Sequence, residues 1–129
     1  MVWSKSDYVF FLCGYQNYGF LGNSYIGEWV NLGAGTSNSN LKNNYGKVRV
    51  EMYDEAFDTS KIHLGCFIGD FVKTSIGTKI NTGSVYGPGS IIFSIDFPSK
   101  NIPILLASNM SIGIMHLKKS IHDFLKRNE

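Results

Sequence analysis

The sequence predicts an all-β chain: a single-stranded parallel β-helix of six-residue repeats, with an extruded arm and a C-terminal α-helix. Large side chains recur every six residues at Phe20, Ile26 and Leu32, and again at Ile62, Ile68, Thr74, Ile80, Tyr86 and Ile92. Four places after each large residue comes a small or branched one: Ser24, Val30 and Thr36, then Cys66, Val72, Thr78, Ser84 and Ser90. Glycine directly follows the large residue at Gly27, Gly33, Gly69 and Gly87, with Ser75 and Asn81 there in two other repeats. A period of six is neither the 3.6 of an amphipathic helix nor the 2 of an alternating strand. It fits coils in which each hexad makes one short strand and one corner. The large residue points into a narrow core, and the small one faces inward near a vertex. The residue after the large one is expected at the turn, where glycine or asparagine tolerates unusual backbone angles.

Residues 1–19 fit the period poorly, with Tyr8 and Gly14 at large positions and Leu12 and Tyr18 at small ones, and are expected to cap the first coil. Residues 37–61 interrupt the period with the polar, turn-rich SNSNLKNNYG. Within this arm, Lys47 to Tyr53 alternates, with Val48, Val50 and Met52 opposite Arg49, Glu51 and Tyr53. That alternation predicts a strand, in an ordered arm packed on a neighbour. The repeat fades at Asp96 and Phe97-Pro98, so residues 1–98 are read as the β-helix domain and 99–129 as a connector and helix. From about Ser111, Ile114, Leu117, Ile121 and Phe124/Leu125 make one apolar stripe, expected to lie on the last coil and close the core.

A chain of 129 residues suits one domain, and a net charge of +2 does not point to nucleic acid or an acidic membrane. No stretch approaches the roughly 20 apolar residues of a membrane span. The apolar run from Tyr8 to Cys13 lacks a basic start and a cleavage site, so a signal peptide is not expected. Cys13 and Cys66 have no metal spacing and read as reduced, structural thiols of a cytoplasmic protein. Three or four coils bury little, and Tyr25, Trp29 and Phe71 would form an exposed apolar patch. A homotrimer that covers this patch is therefore expected.

The strings FLGNSYIGEWVNLGAGT, SNSNLKNNYG and GCFIGDFVKTSIGTKINTGSVYG occur in this order across residues 15–98. Together they resemble the C-terminal left-handed β-helix domain of sugar-phosphate nucleotidyltransferases. That group includes glucose-1-phosphate thymidylyltransferase-like proteins and the bifunctional uridylyltransferase/acetyltransferase that makes UDP-N-acetylglucosamine. The resemblance alone implies the left hand, since parallel crossovers generally prefer the right. Such enzymes also carry a nucleotide-binding domain that has no counterpart in this sequence. Nucleotidyl transfer is thus not expected of the chain unaided, and it reads as a truncated chain or a separated gene product.

The family's second activity transfers acetyl from acetyl-CoA to the amine of a sugar phosphate, with a histidine as general base. A turn alanine offers its amide to the thioester, and asparagines hold the acceptor. Ala34, Asn31 and Asn40 match these positions, whereas Asn17 stands at the histidine position and Phe20 where the family has tyrosine. Asparagine accepts no proton at neutral pH, so a general-base contribution of about 10²–10⁴ in rate would be lost. His63, His116 and His122 read as surface or packing residues, and Asn31 and Asn40 also suit structural corners. Asp70 and Lys73 read as a solvated corner pair. NTGSVYGPGS precedes no helix and is no phosphate loop. Two functions remain open. One is an oligomerisation and scaffold domain in sugar-nucleotide biosynthesis, catalytically silent. The other is an acyl-CoA-dependent sugar-phosphate acyltransferase using a groove between subunits.

Overall fold

Very short strands separated by turns carry the chain from Phe20 to Ile102, and the turns have a regular backbone signature. Residues with positive φ fall at Asn23, Trp29 and Gly35, then at Phe71, Gly77, Gly83 and Gly89. Each immediately precedes one of the small residues, and Ser24, Thr36, Val72, Thr78, Ser84 and Ser90 are all fully buried. The left-handed residue therefore lies three places after the large one, not directly after it. The glycine that follows the large residue has another role. A Cβ on Gly27 would stand 2.7 Å from the Asp70 nitrogen, and one on Gly69 would stand 2.7 Å from the Pro88 nitrogen. Glycine is required there because the next pass of backbone approaches too closely for any side chain.

The structure, a computed structural model, describes residues 8–9, 18–52, 55–103, 119 and 121–127. It is all-β with one short helix over 121–127. In chain order the strands are β1 (Tyr8–Val9), β2 (Ser24–Ile26), β3 (Ser37–Asn38), β4 (Arg49–Met52), β5 (Glu55–Asp58) and β6 (Phe67–Ile68). They continue with β7 (Lys73–Thr74), β8 (Lys79–Ile80), β9 (Val85–Tyr86), β10 (Ile91–Ile92) and β11 (Asn101–Ile102). Strands β2, β6, β9 and β11 form one parallel ladder, with β1 antiparallel at its edge. Asn31, β7 and β10 form a second parallel ladder, and Phe20, β3 and β8 a third. The chain visits the three in rotation. Phe67 pairs with Val85 and Lys73 with Ile91, each partner lying three hexads further along the chain.

Residues from all three ladders make one buried cluster: Leu21, Ile26, Val30, Leu32, Cys66, Ile68, Val72, Ile80, Tyr86 and Ile92. Three expected members are absent, one of them Thr74, half-buried with its Oγ1 2.9 Å from Thr36 Oγ1. The Phe20–Ser37 bridge makes Leu21 the inward residue, leaving Phe20 half-buried. Ile62 is 46% exposed, because the chain regains register only when the Leu64 and Gly65 N–H groups donate to the Asn40 and Asn23 carbonyls. Asn38 stands at an inward position and is fully bonded there. Its Oδ1 accepts from Gly22 N–H at 2.8 Å, and its Nδ2 donates to the Gly22 carbonyl at 3.0 Å and to Ser24 Oγ at 3.1 Å.

The interruption is not extruded. Ser37 and Asn38 still belong to the third ladder, and the excursion turns back where Leu41 and His63 meet in an antiparallel bridge. Within it, β4 is joined by β5, an antiparallel partner the sequence did not suggest. Val48, Val50 and Met52 pack on this chain's own Tyr25, Leu64, Phe67 and Val85, together with Ile121 and Phe124 of the helix. The described turns of the helix, 121–127, thus lie on the flank of the first ladder. Tyr25 is covered there, at 9% exposure, and drops out of the expected surface patch. The sheet also continues past residue 98, since β11 pairs with β9. Apart from the β1 backbone and residues 18–19, the segment 1–19 expected to cap the first coil lies outside the described residues, as do Cys13, Ile114, Leu117 and His116.

Candidate functional site

The turn Gly33-Ala34-Gly35-Thr36 is built by three constraints. Thr36 N–H donates to the Gly33 carbonyl at 3.1 Å, Gly35 takes φ +76°, and Thr36 Oγ1 donates to the same carbonyl at 2.7 Å. A Cβ on Gly33 would stand 2.6 Å from the Ile76 nitrogen, so the turn sits directly on the next one. Ala34 is exposed at its tip. Its carbonyl accepts from Gly77 N–H at 2.7 Å, while among the described residues its own N–H meets no acceptor. Such an amide can point at a ligand oxygen.

Asn31 stands just before this turn, at the start of the second ladder, where its backbone donates to the Val72 carbonyl and accepts from Thr74 N–H. Asn40 lies beyond the third ladder, at the mouth of the excursion. Its Nδ2 donates to Asn23 Oδ1 at 2.8 Å. Asn31 and Ala34 thus share one stretch of surface, and no hydrogen bond among the described residues links Asn40 to either. Asn17 lies outside the described residues.

His63, read from the sequence as a surface or packing residue, lies at the surface. It is exposed, bridges to Leu41 and immediately precedes Leu64, whose N–H donates to the Asn40 carbonyl. His63 lines a cleft of about 350 Å³ with Asn23, Lys61, Leu64 and Phe124. The fold places it beside Asn40 although the whole excursion separates them in the chain. His122 instead packs edge-on against Phe57, with ring centroids 5.3 Å apart. Asp70 caps a corner, its Oδ1 accepting from Glu28 N–H at 2.8 Å.

Cys66 is buried and free, its amide donating to Ser24 Oγ at 2.9 Å. Burial pushes its thiol up to about 12, which removes it as a nucleophile at neutral pH. Burial also pushes the Tyr86 hydroxyl upward, with Cys66 adding to the effect. Among the described residues, that hydroxyl has no hydrogen-bond partner. Ser84, its nearby polar neighbour, donates its own hydroxyl to the Asn81 carbonyl at 2.8 Å. Among the described residues, no group of three or more His, Cys, Asp or Glu could hold a metal. None of their helices is long and apolar enough to cross a membrane.

No protein-family model matches the chain. A match 79 residues long, covering 57% of the chain, is 34% identical to a bifunctional sugar-1-phosphate nucleotidylyltransferase/acetyltransferase of Sulfurisphaera tokodaii. The match spans only 20% of that relative's length.

Proposed function

We propose that this chain is the left-handed parallel β-helix of a protein related to sugar-phosphate nucleotidyltransferase/acetyltransferases, and that its principal role is to hold copies of itself together. The observation that carries this reading is the rotation of the chain through three parallel ladders, with partners such as Lys73 and Ile91 separated by three hexads. That is the spacing of a three-sided coil of hexads. The relative's name supports the family, and the hand follows from the resemblance. Self-association is supported by what the ladders leave uncovered. Ile76, Ile91, Phe93 and Ile95 are 81%, 56%, 82% and 97% exposed, near a corner that no other part of the described chain covers. A monomer rarely leaves so much apolar surface in water. The assembly proposed is a homotrimer, with the first ladder's flank facing outward under its hairpin and helix. Sedimentation should give three times the 14.4 kDa chain mass, and a monodisperse monomer would contradict the proposal.

A second reading is favoured by the Ala34 amide and by the acetyltransferase half of the relative's name. Here the chain transfers an acyl group from acetyl-CoA to a sugar phosphate in a groove between subunits. The Ala34 N–H polarises the thioester carbonyl, while Asn31 and Asn40 hold the acceptor. Of the two described histidines, His63 is the one beside Asn40 and is the candidate to take the proton. Calorimetry with coenzyme A decides whether the groove survives, since no heat at millimolar ligand removes this reading. If coenzyme A binds, Asn17→His should raise acetyl transfer to glucosamine 1-phosphate. No gain would mean that position 17 is not the base site. Both readings place the protein in the cytoplasm, where a reduced Cys66 is the ordinary state.

A further inference from the structure

The corner that leads into the second ladder repeats on three passes of the chain. Phe71 N–H donates to the Glu28 carbonyl at 2.9 Å and Gly89 N–H to the Asp70 carbonyl at 2.8 Å, so Trp29, Phe71 and Gly89 hold one position on successive coils. All three have left-handed backbone, with φ of +57°, +60° and +77°. Glycine takes that conformation freely, and any L side chain there is strained. The first two passes nevertheless carry large aromatic side chains, 56% and 59% exposed. At the far border of the same ladder the chain turns at Ile76, and Ile91, Phe93 and Ile95 extend an exposed apolar surface. The second ladder is thus bordered by apolar side chains on both sides, whereas the flank of the first is covered by the hairpin and helix. At roughly 200 Å² for each fully uncovered side chain, these six expose on the order of 800 Å². A standard interface buries about 1,600 Å², a little over half of it non-polar. The apolar part of one interface per copy is therefore supplied only if both borders take part.

We infer that the two borders meet across copies: the Trp29/Phe71 corner of one chain packs on the Ile76/Phe93/Ile95 corner of the next, with the second ladder facing the axis of the ring. This rests on the self-association proposed above and adds which surfaces meet. Unlike patches joined head to tail close a ring, whereas a two-fold dimer sets one patch on itself and leaves the other in water. Charge favours the same pairing. Glu28 and Asp70 stand at the aromatic border, while Lys73 and Lys79 outnumber Asp96 over the rest of the face and its far corner. The strained aromatics also gain a reason, since aromatic anchors carry a large share of the energy of an interface.

The test is cross-linking between copies, on the full chain in a Cys13→Ser background, where Cys66 is buried. Phe71→Cys and Ile76→Cys are made singly and together, and treated with a short bismaleimide. Co-expressed, the two single variants should give cross-linked pairs, each alone should stay a single chain, and the double variant should link three chains and no more. Phe71→Gly supplies a second readout, because it keeps the left-handed turn as Gly89 does and relieves its strain. It should remain folded by circular dichroism and weaken association about tenfold or more in sedimentation. The inference is overturned if either single variant cross-links to itself, if the co-expressed pair does not cross-link, or if folded Phe71→Gly associates as tightly as wild type. A wild-type chain that sediments as a monomer removes the self-association reading as well, whereas a trimer without mixed cross-links removes the pairing of borders alone.

Discussion

Cys66 illustrates how strictly a single position is specified. It stands among the small inward residues, with Ser24 Oγ accepting its amide at 2.9 Å, and it is fully buried. Below pH 9 its thiol is protonated in folded and unfolded chains alike. Between 9.0 and about 12 the folded chain keeps the proton that the unfolded chain has lost. Stability from this group is therefore present below pH 9 and falls as pH rises, by up to about 1.4 kcal/mol per pH unit. Denaturant unfolding of wild type and Cys66→Ala at about pH 8 and 10.5 checks this, with the steeper alkaline loss expected in wild type. Equal losses would contradict it. At this scale the small inward residues were legible in the sequence, because a narrow vertex excludes everything larger. Phe20 was misread because Leu21 beside it is equally apolar, and only the pairing with Ser37 decides which points inward. The partnership of Asn23 with Asn40 was not legible, since nothing in the spacing of two polar residues marks a contact across a corner.

At the scale of elements, the turns and the flank behave differently. Gly33 has an ordinary backbone, and its demand for glycine comes from the coil beside it. Gly77 has φ +72° with nothing near the space a Cβ would fill. Gly33→Ala should thus displace backbone and cost more than Gly77→Ala, for which the left-handed conformation alone costs roughly 1–2 kcal/mol. Thermal unfolding of the two variants tests the distinction, and the reverse order would refute it. The flank depends on Phe124, whose ring meets Phe67 edge-on at 5.5 Å between centroids. Phe124→Ala should cost about 3–5 kcal/mol in denaturant unfolding. Near-wild-type stability would show that the helix does not pack there. The alternation of Val48, Val50 and Met52 was readable as a strand with one apolar face. Its partner β5 was not, because Glu55–Asp58 offers only Ala56 and Phe57 as apolar residues. What the arm covers was written in the outward column Tyr25, Phe67 and Val85, each just before an inward residue. That column is apolar where a solvated face would be polar.

For the molecule as a whole, the spacing between ladder partners carries the architecture. Partners such as Lys73 and Ile91 lie three hexads apart where the repeat is unbroken. The step from Tyr25 to Phe67 is more than twice as long, because it spans the excursion, and the step from Val85 to Asn101 falls just short of three hexads. The unbroken spacing was legible from which residue types recur at which positions. The long step was not, because Ser37 and Asn38 look like the start of a loop yet remain in the third ladder. The shortened last pass was hidden for a related reason: Asp96 and Phe97-Pro98 end the hexad pattern without ending the sheet. The same view separates a covered flank, under the hairpin and helix, from the open corner at Ile76, Phe93 and Ile95 where self-association is proposed.

The central claim is that chain positions three hexads apart lie side by side on parallel strands. Lys73 and Ile91 are such a pair, both exposed. Adjacent strands stand about 4.8 Å apart, within the Cα separation that a disulfide spans. In a Cys13→Ser background, the Lys73→Cys/Ile91→Cys variant should close an intramolecular disulfide under mild oxidation, faster than Lys73→Cys/Phe93→Cys, whose partner is displaced along the strand. A pair that stays reduced, or that joins only separate chains, would contradict the account.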